Sequence, residues 1–64
     1  MDIVMLQRIA TARELALKRR GGHVELSGPP AAIDLAWNDI KAGWPHLDMG
    51  CPAAGVLVIN GVTD

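Results

Sequence analysis

No phenylalanine and no tyrosine occur in this sequence, and Trp37 and Trp44 are its only aromatic rings. Large aromatics supply much of the buried area in most cores, so this core must be built from aliphatic residues and many alanines. Cysteine is nearly absent too. Cys51 stands alone, which excludes an internal disulfide and fits a reducing compartment. No apolar run approaches the roughly 20 residues of a membrane-spanning helix. Asp2, Arg8 and Arg13 interrupt any secretory apolar segment. Neither G-x-G-x-x-G nor G-K-[ST] occurs, so a phosphate cradle lacks its signal. These absences lead to the expectation of a cytoplasmic protein with no membrane partner and no cofactor.

The 64 residues make one domain, spanning 1–64. A chain of this size buries only about 60% of the surface its unfolded form exposes, and small folds usually supplement their cores with disulfides, metals or partner chains. With half the residues apolar and a fifth charged, the composition is globular. The net charge of −1 conceals an asymmetry. Residues 1–20 hold five basic side chains against two acidic ones, a balance of +3, and residues 21–64 hold Lys41 against five acids, a balance of −4. Poles of this kind attract each other between copies or orient a charged partner.

The pattern predicts a first helix over residues 3–20. Asp2 is its N-cap, Leu, Ala, Arg, Lys and Glu fill its interior, and Gly21 or Gly22 stops it. On a helical wheel it shows an excess of apolar surface. Ile3, Leu6, Ala10 and Leu17 form one strip, Met5, Ile9, Ala12 and Ala16 a second, and Val4 with Leu15 a third. Next, the alternation in HVELS, residues 23–27, marks a half-buried strand. A second helix follows with Pro29 and Pro30 in its first turn, buries Ile33, Ala36, Trp37 and Ile40, and ends at Gly43. Residues 43–54 form a connector, and Val56, Leu57, Val58 and Ile59 read as a strand covered on both faces. Asn60-Gly61 is a type I′ hairpin signal, with Val62, Thr63 and Asp64 as a minimal second arm. The expected class is α+β, a small helix–strand–helix–strand domain with an optional C-terminal hairpin. Two short strands do not stand alone in water, so the sheet is expected to be completed by dimerisation through Val56, Leu57, Val58 and Ile59.

The segment GWPHLDMGCP, residues 43–52, gathers the reactive residue types. A metal site would use His46, Asp48 and Cys51 with His23 as a fourth ligand, but the spacing matches no zinc pattern. A thiol nucleophile would pair Cys51 with His46, oriented by Asp48, in a chain with little room for a substrate pocket. The bland alternative has Trp44 and Met49 packing under the loop and Cys51 as a small buried residue. Lys18, Arg19 and Arg20 raise nucleic-acid binding as an alternative, set against a negative net charge and no interleaved aromatics.

The favoured expectation is a non-enzymatic interaction module, a homodimer that occupies or bridges a partner protein surface. Inhibitors encoded by phages and other mobile elements, and docking modules of larger assemblies, share this size and style. Trp44, His46, Leu47 and Met49 are the first candidate contact site, because Trp is enriched at hot spots and Met adapts to irregular surfaces. Arg8, Arg13, Arg19 and Arg20 are the second.

Overall fold

Two hydrogen bonds decide where the first helix ends. In the computed structural model, which describes residues 1–63, helix α1 (Ile3–Ala12) begins on Asp2, whose carboxylate accepts from the Val4 amide at 2.9 Å. At its other end the Leu15 amide donates to the Ala10 carbonyl at 2.8 Å and the Glu14 amide to the Thr11 carbonyl at 3.1 Å. This is a Schellman closure, with Glu14 holding the left-handed position at φ 57° that glycine normally occupies. Leu15 is then buried beside Ala10. The helix expected through residue 20 therefore stops eight residues early.

The remainder of that stretch is strand β1 (Ala16–Arg20), which pairs antiparallel with β2 (His23–Ser27). Gly21 takes φ 58° while Gly22 stays out of the left-handed region, the pattern of a type II′ hairpin turn. The diglycine is a hairpin loop and not a helix stop. Helical propensity in ALKRR loses to the pairing of the strand with HVELS, a tertiary override of a weak local preference. Treating a helix and a strand as one element accounts for part of the apolar surplus on the helical wheel, while Val4 and Met5 of α1 stay exposed.

Helix α2 (Pro30–Gly43) starts behind Pro29 as expected, with Pro30 at its first helical position. Ile33, Ala36 and Ile40 are buried, whereas Trp37 lies half-buried at the margin with the Lys41 ammonium 5.6 Å from its ring centre. The expected connector contains a strand, β3 (Met49–Ala53), which pairs antiparallel with β4 (Val56–Asn60) across an Ala54–Gly55 turn and carries a register shift between Gly50 and Ala53. Gly55 sits at φ 76°, and a Cβ there would lie 2.5 Å from the Gly28 carbonyl oxygen. The Gly28 amide donates to the Gly55 carbonyl at 3.0 Å, so this turn rests directly on the entry to α2. A Cβ on Gly28 would instead meet a Leu15 methyl at 2.6 Å.

The sheet order is β1-β2-β4-β3, antiparallel throughout. Helix–strand–strand occurs twice, with β2 and β4 inside and β1 and β3 outside, although the sequence shows no repeat. The expected α+β class holds, and the element order is corrected to helix–strand–strand–helix–strand–strand. Four strands come from one chain, so a sheet of this size requires no second copy. The expected C-terminal hairpin is replaced by a different closure. Val62 is buried, the Thr63 amide donates to the Met1 carbonyl, and the Ile3 amide donates to the Thr63 carbonyl, both at 2.8 Å. Asp64 lies outside the described residues.

Both helices cover the same sheet face. Leu6 and Ala10 of α1 and Ile33, Ala36 and Ile40 of α2 meet Val24, Leu26, Leu57 and Ile59, with Leu15 and Val62 closing the ends. Arg13 joins the two helices. Its Nε donates to Asp39 at 2.8 Å and its second guanidinium nitrogen at 3.0 Å, a two-pronged pair. These hydrogen bonds hold the Asp39 carboxyl below its ordinary range and push Arg13 upward.

Two outcomes follow from these local devices. Glu14→Gly relieves the left-handed strain, and glycine's own unfolded-state entropy offsets part of the gain. Urea unfolding is expected to show about 0.5–1 kcal/mol of added stability, with no gain for Glu14→Ala. For Asp39, a carboxyl lowered in the folded state stabilises above the ordinary carboxylate range and loses that contribution as pH falls through the folded value. Asp39→Asn is therefore less stable than the parent at neutral pH, and in pH-dependent unfolding the gap closes as pH falls through and below the ordinary carboxylate range.

Candidate functional site

Side chains alternate across a strand, so the sheet has two unlike faces. Leu17, Val24, Leu26, Leu57, Ile59 and Met49 share the register that the helices cover. The other face carries no helix. Its first row runs Arg20, His23, Asn60, with Asp48 beyond; its second runs Lys18, Glu25, Val58, Gly50; its third runs Ala16, Ser27, Val56, Ala53. Val56 and Val58 are half-buried by their neighbours alone and form an apolar centre. Small residues flank them on the β3 side.

Charge is segregated across this face. Lys18 and Arg20 mark the β1 side, and Arg20 reaches Glu25 on β2 at 3.1 Å. On the far side the Asn60 amide group donates to the Asp48 carboxylate at 3.2 Å, and the Asn60 backbone N–H donates to the Asp48 carbonyl at 3.0 Å. Asp48, Gly50, Cys51, Val58 and Asn60 border an open depression of about 470 Å³.

The two outer edges of the sheet are blunted. Lys18, Arg19 and Arg20 occupy β1, while Pro52 and the register shift interrupt β3. Cationic side chains, proline and bulges are the usual guards against strand addition.

The residues expected to form the dimer interface are redistributed. β4 lies between β2 and β3, so both of its edges are occupied within the chain. Leu57 and Ile59 are fully buried under the helices, leaving Val56 and Val58 on the open face. The main-chain edges of Val56–Ile59 are thus taken up by β2 and β3 of the same chain.

The connector residues are separated as well. Lys41 folds the segment after α2 back on itself, its ammonium donating to the Leu47 carbonyl at 3.2 Å and the Pro45 carbonyl at 3.4 Å. Trp44, Leu47 and Met49 pack half-buried against the core, while His46 is exposed. Cys51 is exposed on β3, contrary to the expectation of a buried small residue. Among the described residues, no group of three or more His, Cys, Asp or Glu side chains is placed to hold a metal ion.

The four arginines do not make one surface. Arg8 is exposed on α1, Arg13 is paired with Asp39, Arg19 shares the helix-side register of β1, and Arg20 lies on the open face. Sequence reasoning missed Lys18, Glu25, Gly50 and Ala53 as companions of Val56 and Val58. The signal was the Gly21-Gly22 pair between two five-residue arms, which places Lys18 opposite Glu25 once it is taken as a hairpin. Among the described residues no helix is long and apolar enough to cross a membrane. No known family model, curated protein or solved structure matches this chain.

Proposed function

We propose that this protein is a non-enzymatic interaction module that works by occupying or bridging a protein surface through the uncovered face of its sheet. The observation that carries this reading is the asymmetry of the sheet: both helices lie on one side, and the other side presents Val56 and Val58 inside a charged margin. An apolar centre with a polar rim is the usual anatomy of a protein–protein contact. The reactive side chains favour the same reading. His46 and Cys51 are both exposed, and the depression beside Cys51 is open. Trp44, Leu47 and Met49 pack against the core with part of each left exposed, and the helix-free sheet face is the surface this reading favours over the connector.

Val58→Asp tests this reading. A carboxylate at the centre of the face must be desolvated in any complex. It also replaces a half-buried valine opposite Glu25, so some thermal stability is lost. Circular dichroism at the capture temperature establishes that the variant is folded. Affinity capture from the cells that make the protein should recover a discrete partner with the parent chain, and Val58→Asp should weaken that recovery at least about tenfold. Equal recovery with the folded variant, or none with the parent, overturns the proposal.

A further inference from the structure

We infer that the depression beside Gly50 on the open face is a socket for one arginine side chain of the partner protein, its methylenes lying over Gly50 and Val58 and its guanidinium on Asp48. The inference rests on the interaction role proposed above and names the chemistry of the group that enters this face. A bare strand position, an apolar floor and a carboxylate without a cation carry it.

Glycine weakens a strand interior, and it marks a bulge or a close approach from outside. No feature within the chain demands it at position 50. Gly50 pairs regularly with Val58, does not take a positive φ, and precedes the register shift. A Cβ built there would meet no atom within 4 Å. The missing side chain leaves open the depression of about 470 Å³, which Val58 and Pro52 border with apolar surface.

Asp48 and Asn60 stand in the next row of the same face, about 7 Å away at two residues of strand rise. Asp48 is half-buried, and among the described residues no cation of this chain pairs with it. Lys41, close by in the chain, donates to the Leu47 and Pro45 carbonyls instead. The Asp48 carboxylate accepts from the Asn60 amide group through Oδ2 at 3.2 Å. A carboxylate offers about four acceptor positions, so capacity for a ligand remains, and the Asn60 Oδ1 adds a second acceptor beside it.

A carboxylate at the end of an apolar trough is matched by an apolar stem with a cation at its tip, the build of a long basic side chain. Arginine suits it better than lysine. Its planar fork can meet both acceptors together, and a guanidinium gives up its water more readily than an ammonium. A single inserted side chain also asks for little area, and arginine is among the residues that concentrate binding energy at contacts.

Amide chemical shifts of the full chain, titrated with N-acetylarginine methylamide to about 100 mM, well above the millimolar range of a weak contact, test the socket. The changes are expected to saturate and to centre on Gly50, Val58 and Asn60. The citrulline analogue has the same shape without the charge and should bind at least about tenfold more weakly. Asp48→Asn should lower arginine binding to the citrulline level. Gly50→Leu, which fills the depression from a position with free space around it, should remove binding of both. Circular dichroism establishes that each variant is folded. Changes that scatter or do not saturate overturn the inference, as does a citrulline or lysine analogue that binds as well as arginine, or a folded variant that binds like the parent. In the cellular capture, Val58-dependent recovery that survives both variants overturns the arginine socket and leaves the interaction role standing. Probe binding with no protein captured removes the interaction role and leaves a socket for a free guanidinium compound.

Discussion

The hydrogen bonds from Leu15 to Ala10 and from Glu14 to Thr11 fix the direction in which the chain leaves α1, and the rest of the structure depends on that direction. Had the helix continued, Leu15 and Leu17 would have stayed on a helical surface and β2 would have lacked its outer neighbour. By turning at Glu14 the chain buries Leu15 and lays Ala16–Arg20 beside His23–Ser27. The closure works at a backbone conformation that disfavours a glutamate. Burial of Leu15 and the hairpin it feeds outweigh that local cost.

With β1 in place, the second helix–strand–strand unit completes the sheet from the other side, and β4 becomes an inner strand. This solves the problem of a short apolar strand with open edges inside a single chain. It also concentrates the apolar side chains on one face. Leu57 and Ile59 lie in the core cluster that includes residues of both helices, while Val56 and Val58, their alternate neighbours, lie outside it and are half-buried. The uncovered face thus follows from having two helices and one sheet, with no third layer to supply.

Much of this was legible in the residues themselves. The N-cap at Asp2, the alternation of HVELS, the proline-led start of α2 and its stop at Gly43 are local signals, and each corresponds to the structure. The errors share one physical source. ALKRR is made of good helix formers, and MGCPA contains a glycine and a proline that argue against a strand. Both become strands because a neighbour pairs with them, and pairing partners are set by tertiary structure. With β1 taken as helix and β3 as loop, the open face had neither of its margins, so the connector with Trp44 and Met49 stood out instead of the sheet.

The meeting of Gly28 and Gly55 shows how unevenly such a small fold tolerates sequence drift. At Gly28 the obstacle to a side chain is a methyl of Leu15, which a second change could trim or rotate away. At Gly55 the obstacle is a carbonyl oxygen of the main chain, present whatever residue occupies position 28. At position 28 a change at Leu15 would lift the contact but not the backbone strain of φ 159°; at position 55, where φ is 76°, neither the contact nor the strain has a neighbour that could give way.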